Sequence, residues 1–123
     1  MTYLHDDVLD SGLSFIDDNC DRVFICNAEP STWAEASSTY NLGYKNNPTI
    51  STAEDRDGGG RQVTISAIAD GTVSATDTAT HFALGDSSET QLIAAGSLSS
   101  GVAVTDGNTW TLTEFTIGIP YPS

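Results

Sequence analysis

Arg61-Gln62-Val63-Thr64-Ile65-Ser66-Ala67-Ile68-Ala69-Asp70-Gly71-Thr72-Val73 is the stretch on which the fold class turns. Val63, Ile65 and Ala67 share one parity, and Gln62, Thr64, Ser66 and Ile68 share the other. That is the two-residue period of a strand, not the 3.6 of a helix. Asp70-Gly71 has the composition of a two-residue hairpin turn. Further Val/Ile/Thr runs follow, broken at Gly85-Asp86, Ser100-Gly101 and Asp106-Gly107-Asn108. Eleven of the sixteen threonines lie beyond Arg61, as a β-branched strand composition requires. Strands are therefore expected over 62–69, 72–76, 79–84, 91–98, 101–105 and 109–119. In the last, Trp110 and Leu112 share one parity, while Phe115, Ile117 and Ile119 share the other. The apolar face switches near Thr113-Glu114, as at a bulge or where a strand passes from one sheet to another. Pro120-Tyr121-Pro122-Ser123 cannot pair as a central strand and is expected to run extended.

Working back from Arg61, the pattern is less uniform. Leu9, Leu13 and Ile16 recur at helical spacing, widened by Val8, Gly12 and Phe15, and predict an amphipathic helix over about 6–19. Asp6, Asp7 and Asp10 suit its first turns, and Asn19 is read as a left-handed stop. Val23-Phe24-Ile25-Cys26 reads as a buried strand within 21–27, ended by Ala28-Glu29-Pro30. Residues 31–60 have poor periodicity, one short helical turn at Trp33-Ala34-Glu35-Ala36, and a close on Asp57-Gly58-Gly59-Gly60. So long an irregular connection is commonly functional. The whole reads as a single domain, 1–123, with a β-rich body over 61–119. Its expected fold is mainly β: an antiparallel sandwich or barrel-like meander with one N-terminal amphipathic helix (α+β).

Seventeen acidic residues face four basic ones, for a net charge of −13. Arg22, Lys45, Arg56 and Arg61 do not cluster, which argues against nucleic-acid binding. The acidity suits either solubility, in salt above all, or docking on a basic partner. Cys20 and Cys26 fit no zinc or thioredoxin spacing, and a reduced compartment is the simpler reading, with a Cys20–Cys26 disulfide the alternative. No signal-like or membrane-spanning stretch is expected, which places synthesis and assembly in a cytoplasm.

Chemistry-bearing residues are sparse. His81 lies mid-strand, and its only imidazole companion is His5, so a hydrogen-bonded structural role is expected. Asp55-Arg56-Asp57-Gly58 has the wrong spacing for a calcium loop: its glycine comes early and Arg61 intrudes. Arg56 and Arg61 are expected to pair with Asp55 and Asp57 or with a neighbouring subunit. Asp6, Asp10 and Asp17 read as a solvated helix face, no specific pair of acids marks a glycosidase, and Gly58-Gly59-Gly60 lacks the lysine of a phosphate loop. No enzymatic activity, metal or cofactor is expected.

Phe24-Ile25-Cys26-Asn27-Ala28-Glu29-Pro30, Asp70-Gly71-Thr72-Val73, Ala79-Thr80-His81-Phe82-Ala83-Leu84, Ala95-Gly96-Ser97-Leu98 and Ile117-Gly118-Ile119-Pro120 follow a short N-terminal helix. In this combination the chain resembles small virion proteins of tailed phages, and most of all the head decoration, or cement, proteins of marine siphophages such as roseophages. The resemblance implies a protein of the capsid exterior, assembled in the host cytoplasm. It would bind the major capsid protein as a homotrimer over local threefold axes and carry no catalytic residues. The contact residues proposed with it are Trp33, Tyr40 and Tyr44, then Asp55, Arg56 and Arg61, then Ile119 and Tyr121. Core packing is an equal reading of Trp33 and Tyr40, and the preferred one for Trp110. A tail or fibre component, and a glycan- or calcium-binding adhesin module, are the alternative functions.

Overall fold

The computed structural model describes residues 6–120, with side chains from Leu9 onward. The fold is mainly β, with one N-terminal helix, α1 (Asp6–Asn19), and antiparallel sheets. The chain divides into two compact units.

The larger unit, Cys20–Pro48 with Ile68–Leu112, is a six-stranded antiparallel sheet. Its strands are β1 (Arg22–Cys26), β2 (Asn41–Asn46), β5 (Ile68–Val73), β6 (Asp77–Asp86), β7 (Gln91–Val104) and β8 (Thr109–Leu112), in the order β7-β6-β1-β2-β5-β8. β1 lies inside this sheet, and Val23, Phe24, Ile25 and Cys26 are all buried, as a strand covered on both faces demands. The outermost strands, β7 and β8, both line one apolar cavity of about 20 Å³ with Ile25 of β1. A flat sheet would keep its opposite edges apart, so the sheet is curled into a half-barrel. The cavity has room for about one water and no ligand.

The smaller unit contains α1, residues 49–67 and residues 113–120. Its sheet has the order β3-β4-β9, from β3 (Glu54–Asp55), β4 (Arg61–Ile65) and β9 (Phe115–Ile119). Leu9, Leu13 and Ile16 of α1 are buried, as are Val63 and Ile65 of β4, and α1 packs on β4. Phe15 stays exposed, outside the stripe. Asn19 ends α1 through its side chain, whose Nδ2 donates to the Phe15 carbonyl at 2.9 Å, not through a left-handed backbone.

The parity switch at Thr113-Glu114 is a change of sheet: β8 pairs with β5 in the larger unit, and β9 with β4 in the smaller. A matching switch at Ser66-Ala67 leaves Ala67 exposed and buries Ile68 instead, so 62–69 is two strands rather than one.

Three expected breaks lie inside strands. Gly85-Asp86 ends β6, and the turn follows at residues 87–90. Ser100-Gly101 falls within β7, where the register against β6 jumps from Ala79↔Val102 to His81↔Ser97 and leaves a bulge. Asp70-Gly71 runs through β5. Its glycine answers a packing demand, because a Cβ on Gly71 would fall inside the Trp110 indole. Only Asp106-Gly107-Asn108 turns, with Gly107 at φ +88°. Nor is 31–60 irregular throughout. It holds a π-helical turn, Glu35–Thr39, the short β3, and an interior strand, β2, which lies between β1 and β5. Asn41-Leu42-Gly43-Tyr44-Lys45-Asn46 has little β propensity, so pairing on both sides imposes the strand.

Gly71→Ala should force the buried Trp110 off its seat and cost about 1–3 kcal/mol, as overpacking typically does. Urea unfolding followed by tryptophan fluorescence measures this, and a variant as stable as the parent would contradict the packing described.

Candidate functional site

The aromatic residues expected at a contact surface do assemble. Trp33, Tyr40 and Tyr44, all half-buried, pack on a buried cluster of Phe24, Cys26, Ala36 and Ala83, with Leu92 and Ala95 of β7 beside them. The Trp33 and Phe24 rings meet edge to face, with centroids 5.4 Å apart and planes at 78°, an arrangement the ring quadrupoles favour. Trp33 lies over Gly85, where a Cβ would come within 2.6 Å of the indole. Local polar bonds fix the segment that carries it. Glu35 accepts from the backbone N–H and the hydroxyl of Ser31, and Thr32 Oγ1 accepts from the Glu35 N–H at 3.1 Å. The Tyr40 N–H closes the π-helical turn on the Glu35 carbonyl at 2.8 Å. Each ring therefore has one side in the core and another facing outward.

The second group lies in the smaller unit. Arg61 Nε donates to Asp10 at 2.8 Å and Nη1 donates to Asp55, so one guanidinium ties α1 to β4 and the β3–β4 hairpin. Hydrogen bonds from Arg61 to Asp10, and then to Asp55, raise its pKa and hold the charge firmly. Of the expected pairs, Arg61–Asp55 forms. Arg56 instead donates Nη1 to the Gly59 carbonyl at 2.9 Å, and its side chain lies along Gly118. Ile119 stands opposite Arg61 in the β4–β9 ladder. Tyr121 and His5 lie outside the described residues. The proposed contact residues thus fall in two units, the aromatics in one and the Asp55–Arg61 hairpin with Ile119 in the other.

The remaining chemistry-bearing groups have local partners. His81 Nδ1 and Thr80 Oγ1 lie 2.9 Å apart on β6. Cys20 and Cys26 are free, not bridged, and burial pushes each thiol up to about 11. Both are protonated at neutral pH, where the thiol is the less nucleophilic form. Among the described residues no three His, Cys, Asp or Glu converge as metal ligands, and no helix is long and apolar enough to cross a membrane.

Asp21 was not singled out by the sequence. Burial raises its carboxyl pKa, but the side-chain and backbone hydrogen bonds from Ser87, with the charge of Arg22, outweigh this and hold it below the ordinary value. Asp21 also accepts at its carbonyl from the Asn47 N–H, so it ties together the start of β1, the end of β2 and the β6–β7 turn. Nothing in the sequence marks a partner sixty-six residues away. The absence of charge in β7 was legible, since Asp, Glu, Lys and Arg do not occur between Glu89 and Asp106.

Comparison of the chain with family models, with curated proteins and with solved structures finds no match.

The depressed Asp21 pKa stabilises the fold above the unfolded value, about 4, and this contribution is lost as pH falls through the lower folded value. Ser87→Ala should therefore lower stability most near neutrality, with the gap to the parent narrowing in acid. Urea midpoints measured from pH 7 down to pH 3 check this, and a gap that widens in acid would refute it.

Proposed function

We propose that the protein is a non-enzymatic virion component that binds the outer surface of a tailed-phage head and cements it. The partner is the major capsid protein, and the protein acts as a homotrimer over local threefold axes. The observation that carries this reading is the aromatic surface of Trp33, Tyr40 and Tyr44, anchored on a hydrogen-bonded sheet by a common buried cluster. Aromatic residues rooted in a core at one side and open at the other supply large contact area at small entropic cost, and they are enriched at binding hot spots. The sequence resemblance to head decoration proteins supplies the partner.

The mechanism is additive. A small protein contributes a few hundred Å² per contact, less than the roughly 1,000 Å² of a stable binary interface. Three linked copies make the second and third contacts intramolecular, so modest affinities combine into durable binding. A cement must also resist local opening. β1 meets that need from within the sheet, hydrogen-bonded to β2 on one side and β6 on the other.

Expanded capsids lacking the protein, mixed with the purified chain and sedimented, should carry it down and then rupture at a higher temperature. Trp33→Ala should weaken this binding about tenfold or more. A chain that stays in the supernatant, or binds isolated tails instead, would overturn the proposal. Heat release on glycan or calcium titration, with no shell affinity, would favour an adhesin.

A further inference from the structure

Among the described residues β7 is the longest strand, fourteen residues, and it forms an edge of its sheet. Its sequence, Gln91-Leu92-Ile93-Ala94-Ala95-Gly96-Ser97-Leu98-Ser99-Ser100-Gly101-Val102-Ala103-Val104, contains no charged residue and no proline. Edge strands normally carry lysine, proline or an inward charge, because an open row of N–H and C=O groups recruits other strands. In a chain of net charge −13, an uncharged edge of this length has only its bulges for that protection. Val102 is 44% exposed, although it is apolar.

Two further observations say what fits there. First, Leu98, Val102 and Val104 of β7 line an apolar cavity with Trp110 and Leu112 of β8, the opposite edge of the curled sheet. A strand laid on β7 would place a small apolar side chain over this cavity, and the bulge between Ser97 and Val102 bends the edge toward one register. Second, carboxylates bracket the edge. Glu89 lies exposed in the turn before β7, while Asp77 pairs with Val104 and Asp106 follows β7, both exposed; Asp86, opposite Gln91, is buried and bonded to Ser88. Asn27 Nδ2 and the Thr78 N–H bond the Asp77 carboxylate and hold its pKa low, so it is charged at neutral pH.

We propose that the free edge of β7 takes up an extended, uncharged, alternately apolar strand, flanked by lysine or arginine, from another protein. The occupant's backbone would continue the sheet, and its basic flanks would meet the carboxylates at the two ends. A second copy of this chain fits poorly. Antiparallel pairing of β7 with β7 would set the Glu89 end of one copy against the Asp77 and Asp106 end of the other. Like charges so placed oppose pairing. Neither Lys45, paired with Asp70, nor Arg61, paired with Asp10 and Asp55, is free to relieve this. The inference goes beyond the function proposed above, because it names an acceptor edge and the chemistry of its strand whatever protein supplies it.

The test uses the full chain and a short synthetic peptide of alternating valine and threonine with a lysine at each end. Fluorescence anisotropy measures binding, and backbone amide shifts locate it. Binding that moves amides of β7 and β8, and weakens at least tenfold with glutamate ends or alternate N-methylated amides, is the expected result. A Ser99→Lys, Val102→Lys double variant should lose at least tenfold in affinity; both positions are exposed. The N-methylated peptide tests the native protein should that variant fail to fold. No binding at millimolar peptide, equal binding of the N-methylated peptide, or shifts confined to other strands would overturn the proposal. So would a concentration-dependent dimer abolished by the double variant, which would make a second copy the occupant. Capsid sedimentation is a separate readout, so either proposal can fail alone.

Discussion

The larger sheet depends on one seat, that of Trp110. Its indole lies over Gly71 of β5, with Gly43 of β2 close enough that a Cβ there would sit 3.0 Å from Nε1. The indole N–H donates to the Thr72 carbonyl at 3.1 Å, so the buried ring leaves no polar atom unpaired. Three adjacent strands are thereby joined by a single side chain, and the sheet bears a large residue at the edge where its curl brings β8 to the cavity. Burying a tryptophan contributes several kcal/mol by area alone. That gain is available only because both strands beneath it carry glycine at the point of approach.

The same interaction explains where the sequence misleads. Asp70-Gly71 looks like a hairpin turn because glycine is commonest where the backbone must turn. Here it marks an approach by a residue thirty-nine positions later, which no local pattern records. Gly43 belongs to a strand for a related reason, amid residues of weak β propensity: a Cβ there would strike the Thr72 carbonyl of β5 first and then the indole. By contrast, α1 was legible from Leu9, Leu13 and Ile16, because its stripe is local. The passage from β8 to β9 was legible too, since a two-residue period cannot change faces without a break. At the candidate site, the aromatic content of 31–60 was visible, but not that Phe24 and Ala83 would gather it. The Arg61–Asp55 pair was readable at six residues' separation, whereas Asp10, fifty-one residues away, was not.

Charge is distributed with a purpose that the fold makes visible. Among the described residues, Lys45 and Arg61 are committed to carboxylates within the molecule. The exposed Lys45–Asp70 pair contributes little to stability, since solvent and salt screen it. What the excess of acid does is repel like molecules over most of the surface. The aromatic surface and the β7 edge stand out against that background as places where another protein could approach. A sheet with an uncharged edge is an aggregation hazard in most proteins. The carboxylates at its ends limit that hazard by favouring partners of opposite charge over copies of the same chain.

The proposed work of this protein is done by its aromatic surface, on the outside of a shell. The most direct measurement is a density map of expanded heads incubated with the chain. Three copies are expected around each local threefold axis, with Trp33, Tyr40 and Tyr44 against the capsid protein. Bare threefold positions, or density for the chain only along the tail, would contradict it.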